Sequence, residues 1–262
     1  ANFDTDTVSV DVEGAFDVAG NPMTDYTADV EFGIDTVNPI APVLTVTDTD
    51  ATDADAAGGA FTVQAEPNSN ISLTLTGSNG TLEISMTGTG EAQAVSLSEA
   101  EVDALGEGTV MVAASQIDEH GNVQEVADAV TSFTIDTIDP SVAAGADQVD
   151  ATGAMSSDTG AEVVVDADDA GSVTITATFD EAMDQGVLPT FNLQPDVAQT
   201  LTAQDTGSWS DGTTFSITYD VADANFDTDT VSVDVEGAFD VAGNPMTDYT
   251  ADVEFGIDTR NP

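Results

Sequence analysis

Tyr-Thr-Ala-Asp-Val-Glu-Phe-Gly-Ile-Asp, residues 249–258, sets an apolar side chain at every second position: Tyr249, Ala251, Val253, Phe255 and Ile257. Successive side chains of a strand point to opposite faces, so this stretch presents one face to a core and one to water. Val231, Val233 and Val235 alternate with Ser232, Asp234 and Glu236 in the same way, and Val173, Ile175, Ala177 and Phe179 alternate with Thr174, Thr176 and Thr178. Short strands of this period, separated by Gly, Asn and Asp turns, predict an all-β chain of antiparallel sandwiches. One helix is expected, over 99–105: Ser98 stands three residues before Glu101, the spacing of a capping box, and Gly106 follows as a stop.

The segment 249–258 belongs to a long repeat. Residues 1–39 recur as 224–262, an offset of 223, with Val37 against Arg260 as the single difference. Such near-identity implies recent duplication, and a unit of 223 residues exceeds one ordinary domain, so two domains per unit are expected. A second, degenerate pattern sets their ends. Asp-x-x-Gly-Asn, twelve residues, then Ile-Asp-Thr-x-x-Pro occurs from Asp17 to Pro39, from Asp118 to Pro140 and from Asp240 to Pro262. The expected division is 1–38 as the last two strands of a truncated domain, 39–138 as a first full domain and 139–262 as a second. Seven strands are expected in the first full domain, at about 42–47, 60–66, 70–76, 81–87, 92–97, 108–117 and 128–136.

The Asp-x-x-Gly-Asn loop followed by a strand ending Ile-Asp-Thr-x-x-Pro resembles the bacterial immunoglobulin-like domains strung through giant adhesins secreted by type I systems, including the extender regions of RTX adhesins. The resemblance covers the whole chain. The turn Phe179-Asp180-Glu181-Ala182-Met183 is similar to that of one subtype of such domains. The glycine-rich calcium nonapeptide of the RTX β-roll does not occur in this sequence. The resemblance implies an extracellular, bacterial cell-surface setting and a spacer role, with any distal adhesion ligand carried by other domains.

Composition points the same way. Asp and Glu number 50 against one Arg and no Lys, a net charge of −49. Such a surface cannot neutralise phosphates or anionic lipid, so nucleic acid and direct membrane contact are excluded as partners, and cations or high salt are required. Asp outnumbers Glu by 36 to 14, and the short carboxylate is the one that turns and calcium loops use. Cysteine is absent, which removes disulfides, zinc thiolates and thiol chemistry; a divalent ion, Ca2+, is the expected staple.

The candidate ligands follow from strand order. In a sandwich of this kind the last loop of a domain lies at the pole where the chain enters. Asp118 and Asn122 should therefore face Asp35 and Asn38 of the incoming linker. Asp240 and Asn244 should likewise face Asp136 and Asp139. At the other pole, Asp48, Asp50, Asp53 and Asp55 should lie beside Asp136, and Asp166, Asp168 and Asp169 beside Asp258. A single Asp in a turn commonly satisfies its own backbone, whereas several carboxylates brought together repel unless a cation sits among them. From Asp53 the loop has Gln64 where an EF-hand needs Glu, so it is no EF-hand.

Other chemistry is poorly supported. Asp158-Thr159-Gly160 and Asp205-Thr206-Gly207 spell the aspartic-protease triplet without its apolar flanks. His120 is expected to be an exposed loop residue with no nucleophile placed for it. Trp209 is expected to anchor a loop rather than stack on a sugar. The chain is thus read as no enzyme but as a spacer whose partners are its neighbouring repeats, stiffened at its linkers by calcium. Pro39, Pro140 and Pro262 limit those linkers further. A glycan- or ice-binding module of the same kind of adhesin is the alternative, set against the near-verbatim repetition. The orphan strands in 1–38 would expose an apolar face, which strand exchange with a neighbouring molecule would bury.

Overall fold

The computed structural model describes residues 4–27, 32–143, 148–151, 164–165, 171–250 and 255–260. They divide into two compact units, Ala1–Ile135 and Asp136–Pro262.

In the first unit, Phe61–Gln64 lies between Val43–Val46 and Gln93–Val95 in a three-stranded antiparallel sheet. The facing sheet runs Thr81–Thr87, Asn70–Thr76, Gly108–Ile117, Ala129–Ile135, antiparallel at each step. The inner faces follow the period of two: Ile71, Leu73 and Leu75 are buried, as are Val110, Val112 and Ala114 on the neighbouring strand. Each large apolar side chain so buried contributes about 1.5–3 kcal/mol. The rings of Phe61 and Phe133, 5.8 Å apart, join the two sheets. Among the described residues the buried members of this core begin at Ala51, with Leu44 and Val46 partly buried against it.

The second unit is also a two-sheet sandwich. Gln148–Ala151, Ser172–Thr178, Thr214–Val221 and Leu201–Ala203 form one sheet, with Ser208–Trp209 also on Thr214–Val221. Val164–Val165, Phe255–Asp258, Asp227–Glu236 and Thr190–Gln194 form the other, with Tyr249–Thr250 also on Asp227–Glu236. Phe215 is the hub of the core: Phe191 meets it edge-on at 5.6 Å from the facing sheet, and Trp209 at 5.2 Å. Trp209 also lies 5.6 Å from Phe179, so it anchors its short strand to the core. Gly207 is fixed by the same hub. It adopts φ +83, and a Cβ there would fall 2.5 Å from the Phe215 ring.

The fourth long strand changes sheets between the units. Thr81–Thr87 turns directly back on Asn70–Thr76 through a tight loop closed by the Gly77 N–H on the Gly80 carbonyl at 2.9 Å. In the second unit Pro195 and the turn at Val197–Thr200 intervene, and Leu201–Ala203 pairs instead with Thr214–Val221.

Two features differ from the sequence reading. The ladders are not purely antiparallel: the two-residue strands Asp50–Ala51 and Val164–Val165 pair in parallel with Ala129–Ile135 and Phe255–Asp258. There are also two short helices among the described residues, where one was expected. Glu99–Leu105 is the expected one; Glu101 Oε2 accepts the N–H and the Oγ–H of Ser98 at 2.8 and 2.7 Å. The other, Asp53–Gly58, occupies the acidic loop. Thr52 caps it, and the Asp55 carboxylate accepts the Thr52 hydroxyl at 2.6 Å and its N–H at 3.2 Å. A capping box ordinarily carries Glu or Gln at this third position; Asp in its place, in a run of Asp, reads as loop.

Residues 4–35 form two short ladders of their own, Asp4–Val8 with Phe32–Asp35 and Asp11–Val12 with Tyr26–Thr27. The register repeats that of the second copy in the sandwich. Asp4 faces Asp35, Thr5 faces Ile34 and Val8 faces Phe32, with a bulge between; Asp227, Thr228 and Val231 face Asp258, Ile257 and Phe255 identically. No described helix is long and apolar enough to cross a membrane.

Candidate metal centres

In all three copies the Asp-x-x-Gly-Asn loop closes on its Asp carboxylate, which accepts both the N–H and the side-chain amide of the Asn; the third N–H comes from two residues on in the first two copies and from three residues on in the last. Asp17 Oδ1 accepts the Ala19 and Asn21 N–H groups at 2.8 and 2.9 Å, and its Oδ2 accepts the Asn21 side-chain amide at 2.7 Å. Asp118 does the same with His120, Asn122 and the Asn122 side chain, at 2.8, 2.8 and 2.7 Å. Asp240 accepts Gly243 N–H, Asn244 N–H and the Asn244 amide at 2.6, 2.8 and 2.8 Å. Asn rather than Asp at the fifth position is thus a chemical need, since an amide can donate to the carboxylate that a second carboxylate would repel.

These bonds hold the Asp17 carboxyl below its ordinary value, the Asn21 side chain contributing most. At Asp118 burial is the largest influence and opposes ionisation; the Asn122 side chain and the N–H groups of Asn122, His120 and Gly121 outweigh it, and the carboxyl is again lowered. A lowered carboxyl stabilises the fold above the ordinary value of about 3.9 and loses that contribution as pH falls towards its depressed value. The substitution Asn122→Ala is therefore expected to bring the Asp118 carboxyl titration up towards about 3.9 and to shift acid unfolding of the first unit to higher pH. Carboxyl NMR titration with a parallel acid melt checks both.

In two copies the loop also grips the chain that precedes its sandwich. The Asn122 amide donates to the Asp35 carbonyl at 3.4 Å, and the Asn244 amide to the Asp136 carbonyl at 3.0 Å. The Asp of each Ile-Asp-Thr accepts the N–H two residues on: Val37 to Asp35 at 2.8 Å, Ile138 to Asp136 at 3.3 Å and Arg260 to Asp258 at 3.0 Å. One carboxylate oxygen is thereby turned into the linker's own turn.

Two acid clusters result within the described residues. Asp35, Asp118 and His120 in the first unit, and Asp136, Glu181 and Asp240 in the second, each bring ligand atoms within 4.8 Å of one another. Asp240 is 1% exposed, the most buried carboxylate of either set. The clusters differ in charge. In the first, His120 Nδ1 stands 3.2 Å from Asp35 Oδ2, so a protonated imidazole can neutralise it. The second has three carboxylates and no base among them.

Glu181 reaches the second cluster because its turn is stitched to both neighbours. Asp180 accepts the Ser141 N–H at 2.8 Å and its hydroxyl at 2.7 Å. Asp184 N–H donates to the Phe239 carbonyl, and Val241 N–H to that of Ala182, at 2.9 and 3.2 Å. Burial, the largest influence on Asp180, disfavours its charge, but Ser141 outweighs it and the carboxyl is lowered.

No family model matches the sequence, and no curated protein matches it. Among solved structures that resemble the chain is that of a 1.5-MDa bacterial ice-binding adhesin, from work on its host cell surface retention. It shares 21% identity at a TM-score of 0.43, over 84% of this chain and 66% of that one. At these values the likeness carries no argument about what this chain does.

Of the expected ligands, Asp35 with Asp118 and Asp136 with Asp240 come together, with Asn122 and Asn244 bracing them as donors. Asn38 is half-buried in the linker that follows Asp35. Asp139 and Asp258 are exposed and belong to neither cluster, and the same loop of acids at 48–55 stands outside both. There Asp48 Oδ1 accepts the Asp50 N–H at 3.1 Å, Asp50 sits in a strand, and Asp53 and Asp55 serve the helix. Asp166, Asp168 and Asp169 lie outside the described residues, as does Asp158. The sequence reading missed His120 and Glu181 as cluster members. Glu181 was visible only as part of a turn motif, and His120 only as a lone histidine, although it lies within an Asp-x-x-Gly-Asn loop.

Proposed function

We propose that the chain is a spacer segment of a repetitive bacterial surface adhesin, working outside the cell, in which calcium pins the segment leading into a sandwich to that sandwich's own loops. The observation that carries this reading is the gathering of Asp136, at the start of the second unit, with Glu181 and the buried Asp240. An all-oxygen, all-anionic donor set suits a hard cation, and calcium accepts six to eight such ligands with flexible geometry. Asp136, Glu181 and Asp240 would hold the ion; its chemistry there is charge neutralisation and cross-linking. A pinned 136–140, already restricted by Pro140, has little freedom left to bend. The near-verbatim repeat supports length as the selected property, and the resemblance of the Asp-x-x-Gly-Asn to Ile-Asp-Thr-x-x-Pro pattern to adhesin extender domains supports the setting.

Affinity in the range of extracellular modules, about 10⁻⁴–10⁻³ M, would keep the site filled at millimolar calcium. Small-angle scattering tests the spacer role. Chelation is expected to shorten the maximum dimension and broaden its distribution, with recovery on adding calcium. Superimposable profiles with and without chelator would rule the role of the ion out.

A further inference from the structure

We propose that Gln116 is a cation-independent seat for the chain entering the first sandwich, so that loss of calcium frees the approach to the second sandwich and leaves the approach to the first in place. The contrast between the two rests on the calcium reading of Asp136, Glu181 and Asp240; the seat itself does not. Gln116 lies on the strand Gly108–Ile117, where the alternation of Val110, Val112 and Ala114 calls for another apolar side chain. It is 1% exposed. The other two copies of the Asp-x-x-Gly-Asn pattern carry alanine at this place, two residues before the Asp, as Ala15 and Ala238. A buried amide costs free energy unless its polar atoms are bonded, so a role is expected of it.

The amide bridges two segments far apart in the chain. Its Nε2 donates to the Ile40 carbonyl at 2.6 Å, and its Oε1 accepts the Glu66 N–H at 3.0 Å. Ile40 lies between the strands Phe32–Asp35 and Val43–Val46, in a stretch that holds the buried Pro39 and Pro42. Neither proline has an N–H to offer, so a side chain from the core supplies a bond that the backbone there is poorly placed to make. The far end of the bridge is firm. The Glu66 carbonyl accepts the Oγ–H of the wholly buried Ser69 at 2.7 Å, and Gln124 Oε1 accepts the backbone N–H of Gln116 at 2.9 Å. No charged side chain takes part, since Glu66 bonds through its backbone. The second sandwich holds its incoming chain differently. There the Thr247 N–H meets the Pro140 carbonyl at 2.8 Å, but Ser141 is gripped by the Asp180 carboxylate, next to Glu181 of the acid cluster. Three carboxylates without a cation strain that turn, whereas a satisfied neutral bridge keeps its partners in one arrangement.

Backbone nitrogen-15 relaxation of the full chain, in millimolar calcium and in chelator, tests the seat. In the wild type the N–H order parameters of Ile40 and Ala41 should hold at about 0.85, the rigid value, in both conditions. Those of Ile138 and Ser141 should fall in chelator. Gln116→Met keeps close to the side chain's length and removes both bonds; Ile40 and Ala41 should then drop below about 0.6 with and without calcium, while Gly108–Ile117 stays rigid. Leu73→Ala weakens the same core and leaves the amide in place, so it should not loosen Ile40 and Ala41. The seat is overturned by a fall at Ile40 and Ala41 when the wild type is chelated, by unchanged order there in Gln116→Met, or by equal loosening in Leu73→Ala. The wild-type comparison decides even if Gln116→Met does not fold. Ile138 and Ser141 keeping their order in chelator would overturn the calcium reading, and the contrast with it, while the seat is still judged at Ile40 and Ala41.

Discussion

Saturating calcium is expected to raise the melting temperature of the second unit by roughly 5–10 °C over the chelated chain. The estimate follows from binding to the native form alone: a tenfold to hundredfold excess over the dissociation constant stabilises by about 1.5–3 kcal/mol, and a domain of this size shifts a few degrees per kcal/mol. The variant Glu181→Gln separates the ion from the fold. It keeps the side chain's shape and removes one of three carboxylates within 4.8 Å of one another. Each such pair repels by about 1 kcal/mol at the dielectric of water and by about 3 kcal/mol at an effective value of about 20. In chelator the variant should therefore melt at the wild-type temperature or above it, while in calcium its increment should fall by at least half. An undiminished calcium increment in Glu181→Gln would remove the residue from the site. The first unit should respond less, because its cluster brings together two carboxylates where the second brings three.

The second large effect is a contrast between two identical substitutions. Phe255→Ala is expected to cost about 3–5 kcal/mol, the range for truncating a buried phenylalanine, and to lower the melt of the second unit by well over 10 °C. Phe32→Ala, the same change in the same local sequence, should stay within about 0.5 kcal/mol, as for an ordinary surface position. The difference arises wholly from cover: Phe255 is enclosed between sheets and Phe32 is half exposed. Two-transition calorimetry of each variant reads it. Comparable losses would mean that the face of residues 4–35 is covered in solution at ordinary concentration.

Most of the fold was legible because period-two alternation survives burial unchanged. The strands Asn70–Thr76, Thr81–Thr87 and Gly108–Ile117 lie where the alternation put them. The helix Asp53–Gly58 was not legible, since an Asp closes its capping box and the surrounding acids read as loop. Nor were the parallel edge strands, which are two residues long and too short to carry a period. For the clusters, the strand order expected of a sandwich returns the last loop of a domain to the pole where the chain enters, which pairs Asp118 with Asp35 and Asp240 with Asp136. Glu181 escaped because it arrives from another sheet through hydrogen bonds of Asp180 and Asp184, which no local pattern announces.

The parallel edge strands bear on how each sandwich yields to a pull. Asp50–Ala51 lies early in the first sandwich and Ala129–Ile135 is its last strand, yet the two run side by side in the same direction. Tension drawn along the chain tugs these neighbours opposite ways along their common axis. Thr134 N–H on the Thr49 carbonyl at 2.8 Å and the ladder beside it are then loaded together in shear, instead of being unzipped one at a time. Val164–Val165 beside Phe255–Asp258 repeats the arrangement in the second unit. Resistance to force is a property of the unfolding barrier. A patch of two residues at each sheet edge can therefore make these sandwiches slow to rupture under load, whatever their equilibrium stability.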